Sequence, residues 1–126
     1  MKTIAIIGSS GALGSAFTER LSELNPNATV HAFSRQKPHI QLRGVNYHCM
    51  DYQKEDAIEA AAASATSGEP LDMVIVATGL LHEENMRPEK SLRELSAKKF
   101  QRLFEVNTVI PALIAKHFLP RLNTDT

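Results

Sequence analysis

The sequence predicts an α/β fold, a parallel sheet with helices on both faces, and three observations carry that expectation. Short apolar runs at residues 3–7, 29–33, 45–49 and 73–77 alternate with polar or helix-patterned stretches. Strands and helices in alternation build a parallel sheet through right-handed crossovers. The first run ends at Gly8 and passes directly into a helical pattern, so a tight strand-to-helix turn falls within the first fourteen residues. Finally, 126 residues with 43% hydrophobic and 22% charged side chains suit one domain over residues 1–126 with a real core.

The elements follow in order. Residues 3–7 predict a buried strand and residues 12–24 a helix, in which Leu13, Phe17, Leu21 and Leu24 recur at spacings of four and three. Asn25-Pro26-Asn27 breaks that helix. Thr29 to Phe33 predicts a second strand and Val45 to Cys49 a third, with a polar loop over residues 35–44. Residues 53–65, rich in alanine, are helical by propensity. Met73 to Ala77 reads as a strand buried on both faces. A long helix is expected from about Ser96 to Leu122. The expected strand order is 3-2-1-4, truncated after about four strands, which leaves the fourth as an unprotected edge.

Charge and composition narrow the function classes. Lysine plus arginine equals aspartate plus glutamate, at 14 each, so nothing draws the chain generally to nucleic acid or an anionic membrane. No apolar run is long enough to span a bilayer. Cys49 is the sole cysteine, so no internal disulfide forms and a reducing, cytoplasmic setting is expected. His31, His39, His48, His82 and His117 show no metal-ligand spacing, and no metal site is expected.

The chemistry concentrates at the first turn, Gly8-Ser9-Ser10-Gly11-Ala12-Leu13-Gly14. Glycine there permits a tight turn, close approach of backbone to a pyrophosphate, and packing of the helix against the strand. The helix N-terminus supplies free N–H groups and a positive dipole end for an anion, and the Ser9 and Ser10 hydroxyls add donors. Strand before and helix after make this a dinucleotide-binding, Rossmann-type signature; a tight turn without a ligand is the alternative. A P-loop is excluded because Gly14-Ser15 lacks the lysine. The end of the second strand, Ser34-Arg35, then bears on the cofactor. A carboxylate there holds the 2′-hydroxyl of NAD, whereas arginine suits the 2′-phosphate of NADP. No Asp or Glu lies between Asn27 and Asp51, so NADP(H) is expected over NAD(H), with Lys37 a second cation; a surface arginine is the alternative reading.

Gly8, Gly11 and Gly14, at three-residue intervals, resemble the glycine motif of the short-chain dehydrogenase/reductase family, whose first and last glycines also stand six apart. The middle glycine comes after three residues, as in the extended and atypical branches. The resemblance runs along the whole chain. It implies that Asp51 accepts from the adenine amino group, with a turn or helix-capping aspartate as the other reading. Ala77-Thr78-Gly79 stands where the family usually carries Asn-Ala-Gly after another asparagine, and implies a backbone lining for the cofactor. Phe104-Glu105-Val106-Asn107-Thr108 resembles the segment whose asparagine belongs to a catalytic Asn-Ser-Tyr-Lys set, so Asn107 is the candidate catalytic residue. Pro111, four residues on, cannot donate to the Asn107 carbonyl and pushes it away, which predicts a kink. In the family that carbonyl holds a water in a proton relay.

The family's serine and Tyr-x-x-x-Lys are not found: Tyr47 is followed at that spacing by Asp51, and Tyr52 by Asp56. Two functions therefore stand as expectations. One is the NADP(H)-binding portion of a short-chain oxidoreductase, whose parent moves hydride between nicotinamide and a carbonyl or alcohol substrate. The other is a stand-alone dinucleotide-binding or regulatory module. Residues 79–95, with Leu80-Leu81-His82, resemble the branch of C-factor-like and sniffer-type carbonyl reductases and favour the first. The long helix, apolar nearly all round from Val106 to Leu119, implies a homodimer or larger assembly.

Overall fold

The apolar run Thr3–Ile7 becomes β1, buried along its whole length at the middle of a four-stranded sheet. A computed structural model describes residues 2–67, 69–78 and 96–124. β1 pairs in parallel with β2 (Thr29–Ser34) on one side and β4 (Met73–Val76) on the other, and β2 pairs in parallel with β3 (Val45–Cys49). The order is therefore β3-β2-β1-β4, the order expected of a dinucleotide-binding sheet. Residues alternate across the sheet, and β1 shows the result. Ile4 and Ile6 join Val30 in one apolar cluster, with Leu21 of α1 (Ala12–Leu24) packed against it. Ala5 and Ile7 face the other way, toward Ile58 and Ala62 of α2 (Glu55–Ala65) and Ile110, Ile114 and Phe118 of the C-terminal helix. Full burial of each such isoleucine is worth about 1.5–3 kcal/mol, so the central strand anchors both layers.

The long C-terminal helix forms, but in pieces. α3 (Ala97–Phe104) starts with Ser96 as N-cap, its Oγ accepting the Lys99 N–H at 3.2 Å. A π-helical turn follows over Glu105–Val109, then α4 (Ile110–Phe118) and a 3-10 turn over Leu119–Arg121. The irregular turn sits immediately before Pro111, where the sequence places the kink, and a missing backbone donor is one recognised cause of such a break. Asn107 lies within this turn and makes an interaction of its own. The segment after α4 is tied down beside β4: Leu71 donates to the Arg121 carbonyl at 2.9 Å and Asn123 donates to the Leu71 carbonyl at 2.6 Å. Among the described residues no helix is long and apolar enough to cross a membrane.

The structure departs from the sequence pattern in two places. Of the apolar recurrence in α1, Leu21 packs against the sheet, while Leu13 is 71% exposed and Phe17 and Leu24 are exposed as well. The face that packs inward carries Gly14 and Thr18, because the helix approaches the first turn too closely for larger side chains. β4 is not buried on both faces either. Its residues are half-buried, and Val76 is exposed, because among the described residues β4 pairs with β1 alone.

Candidate functional site

The site grows from the C-terminal ends of the strands, beginning with how the first turn is held. Gly8 has φ +87°, a left-handed conformation that favours glycine. A Cβ at Gly8 would lie 2.7 Å from the Ala77 carbonyl carbon and 2.8 Å from the Thr78 nitrogen. A Cβ at Gly14 would collide with the Gly8 carbonyl oxygen. These two glycines are demanded by the protein itself. Gly11 differs: its nearest such neighbour is the Gly8 oxygen at 3.8 Å, an ordinary contact. Gly11 is also the N-cap of α1 and has no side chain to cap it, so first-turn N–H groups are left for an outside acceptor.

One carbonyl fastens this turn to the rest of the sheet. The Phe33 oxygen, near the end of β2, accepts from Gly8 N–H at 2.8 Å and Ser9 N–H at 3.0 Å. It is also the acceptor for Ser9 Oγ at 3.3 Å and for the Tyr52 hydroxyl at 3.2 Å. Burial pushes the Tyr52 phenol up to about 12, so it stays protonated and remains a donor across the ordinary pH range.

In front of the turn lies a cleft of about 300 Å³, lined by Gly8, Ser10, Gly11, Arg35, Asp51, Tyr52, Gln53, Ala77, Thr78, Arg102, Val106 and Ile110. Position outside the carboxyl ends of parallel strands is where nucleotides bind in open α/β sheets. The fold thus gathers Gly8, Ser10, Gly11, Arg35, Asp51, Ala77 and Thr78, all singled out from sequence, into one cleft. Others of that set stand elsewhere. The Ser9 hydroxyl turns inward to Phe33, and the buried Ser34 hydroxyl donates to the Gln36 carbonyl at 2.5 Å. Ala12, Leu13 and Gly14 form the first turn of α1 rather than the cleft lining. Asn107 is exposed on the π-helical turn, next to Val106, and does not line the cleft. Gly79 lies outside the described residues.

Asp51 sits in a turn at the cleft edge. Its Oδ1 accepts from Gln53 N–H at 3.0 Å, and its carbonyl accepts from Lys54 N–H at 3.2 Å. Lys54 is the N-cap of α2, so Asp51 is not itself the cap. Sequence reasoning missed Tyr52 and Arg102. Arg102 pairs with Glu105 at 3.6 Å and shares a helix face with Val106 and Ile110 at four-residue spacing, a signal legible in the sequence.

The donors present fit a pyrophosphate-bearing nucleotide. The helix N-terminus is uncapped, Gly11 lines the cleft without a side chain, and Arg35 adds a cation. The buried Thr78 Oγ1 has no hydrogen-bond partner among the described residues, which leaves a polar contact for a ligand.

Comparison with known proteins agrees with this geometry. The model of the short chain dehydrogenase family matches residues 2–126. None of the curated proteins is similar enough in sequence to count as a match. Among solved structures, the chain is similar to the aldohexose dehydrogenase of Thermoplasma acidophilum in ligand-free form. The two share 16% identity with TM-score 0.78, over 96% of this chain and 44% of that one. An NADPH-bound carbonyl reductase from chicken fatty liver gives 20% identity and TM-score 0.77, over 96% and 48%. An NADH-dependent reductase complexed with NAD gives 19% and 0.78, over 95% and 51%. The chain therefore spans about half the length of these structures.

Proposed function

The chain belongs to the short chain dehydrogenase family, and from that premise we propose that it is the NADP(H)-holding portion of an oxidoreductase acting between a carbonyl and an alcohol. The nicotinamide, when bound, supplies the hydride chemistry. The residues of this chain bind and orient. Gly8, Gly11 and the N-terminus of α1 receive the pyrophosphate, with the exposed Ser10 as an added hydroxyl donor. Ala77 and Thr78 line the middle of the cleft, and Gly79 belongs to the same reading on sequence alone. Asp51 meets the adenine amino group at the cleft edge. Tyr52 takes no proton; its hydroxyl holds the turn in place. Asn107, one residue past the cleft-lining Val106, is the candidate catalytic residue on its resemblance to the family segment alone.

The preference for NADP(H) is carried by Arg35, which lines the cleft while no carboxylate occurs between Asn27 and Asp51. The solved likenesses hold either coenzyme, so they do not bear on the choice. A guanidinium engaging a phosphate is worth about 1.5–3 kcal/mol, or roughly 10–100-fold in affinity. Isothermal titration is expected to give NADPH the tighter binding by that factor, and Arg35→Ala to narrow the gap. Equal affinities for NADPH and NADH in the unaltered chain overturn this reading.

The same proposal includes self-association. Phe100, Phe104, Val109 and Leu119 stand exposed along the C-terminal helix, a run of apolar surface suited to a second copy.

A further inference from the structure

Each side of the cleft carries one guanidinium. Arg35 stands just past β2 among the strand ends, and Arg102 stands on α3, on the helical side. The binding proposed above gives a role to Arg35 alone. Arg102 nevertheless occupies a position that the local pattern would fill with an apolar residue. It lines the cleft together with Val106 and Ile110 at four-residue spacing, and this stripe runs from buried Ile110 through half-buried Val106 to Arg102. The Arg102 side chain is 22% exposed, against 44% for that of Glu105, whose Oε1 lies 3.6 Å away.

We propose that Arg102 holds the adenine base of the dinucleotide, its guanidinium stacked flat on one face of the ring. The inference rests on the dinucleotide reading and names, within it, the residue that grips the base. Hydrogen bonds and ion pairs use the edge of a planar guanidinium, whereas stacking uses its face, so pairing with Glu105 and stacking on a base are compatible. A cation over a π-face is attracted by the ring, the more so where water is partly excluded. Arginine makes this contact with nucleobases, and it tolerates the base's own hydrogen bonds because those lie in the ring plane.

The placement follows from packing. Tyr52 and Val106 both pack against the apolar cluster that contains Ile110. The residue next to Asp51 is thereby brought against the helical side. A base whose amino group meets Asp51 lies alongside the stripe, with Val106 and Arg102 in reach of its face. The other parts of the adenosine half have their own partners, the N-terminus of α1 for the pyrophosphate and Arg35 for the 2′-phosphate. A second phosphate handle is the competing role for Arg102, and the two roles differ in which ligands lose affinity without it.

Isothermal titration of the full chain with NADPH, NADH and ADP tests this, because all three carry the base and only NADPH carries the 2′-phosphate. Arg102→Ala is expected to weaken all three by a similar factor, roughly 5–30-fold. Arg102→Lys should recover little of it, since a point charge has no planar face. Arg35→Ala, by contrast, should weaken NADPH alone. A readout on the unaltered chain stands apart from folding of the variants: ADP should move the Arg102 side-chain proton resonances upfield, as protons over a ring face move. A loss confined to NADPH, full recovery with lysine, or unmoved Arg102 resonances overturns the proposal. Unchanged affinities in Arg102→Ala remove this inference and leave the dinucleotide reading standing, whereas an unaltered chain that binds none of the three removes both.

Discussion

The two sides of the cleft are built differently. The glycine turn is over-determined from within: four donors converge on the Phe33 carbonyl, and the Gly8 and Gly14 positions leave no room for a side chain. The helical side is anchored by one face only. Ile110, Ile114 and Phe118 are buried, while Phe100, Phe104 and Val109 stand exposed, and a π-helical turn interrupts it. The turn is therefore specified by contacts inside the chain, whereas the outer helix face stays exposed. Substitutions can break or sharpen this contrast.

The largest effect is expected at Gly14. A methyl group there collides with backbone, which has few ways to yield, so Gly14→Ala should cost about 3 kcal/mol or more in urea unfolding. A Gly14→Ala chain as stable as its parent would mean the turn is softer than its contacts indicate. Gly11→Ala, three residues away, should change stability by no more than about 0.5 kcal/mol and yet weaken dinucleotide binding. Loss of stability without loss of binding would reverse the roles assigned to the two glycines.

Acid should come next. Burial lowers the pKa of both His31 and His48 in the folded chain, so as pH falls the unfolded chain takes up protons first. Their contribution is fully present above the unfolded value of 6.5 and is lost as pH drops below it. Thermal melts between about pH 7 and pH 5 should therefore show falling stability. The slope should flatten in a His31→Gln, His48→Gln double variant, and an unchanged slope assigns the effect to other groups.

The smallest effect on stability belongs to the exposed helix. Phe104→Glu should alter unfolding by no more than about 0.5 kcal/mol, because the ring is largely outside the core. Sedimentation should nevertheless shift toward the monomer if the face holds a second copy. A parent chain that sediments as a monomer at tens of micromolar removes the association proposal.

How much of this was legible follows the range of each interaction. Strand runs, helix patterns and the glycine turn are local in sequence, and their residues sit where periodicity and turn chemistry put them. The Pro111 break is local too, since a missing N–H acts within one turn. The inward face of α1 was not legible, because the apolar stripe Leu13, Phe17 and Leu24 gives a stronger pattern than Gly14 and Thr18. Ser9 and Ser34 look like phosphate donors in sequence, yet each hydroxyl meets a backbone carbonyl first.

By itself, then, the sequence determined the α/β architecture, the strand order and the cleft residues Gly8, Gly11 and Arg35. The architecture and the turn depend on short-range periodicity and turn sterics, and the strand order on the resemblance to the dinucleotide-binding fold. Only the tertiary structure decided which glycines the protein needs for itself, and that Tyr52 locks the turn. It alone brought His31 within 3.0 Å of His48. These depend on strand register and helix approach, distances between residues far apart in the chain that no local pattern encodes.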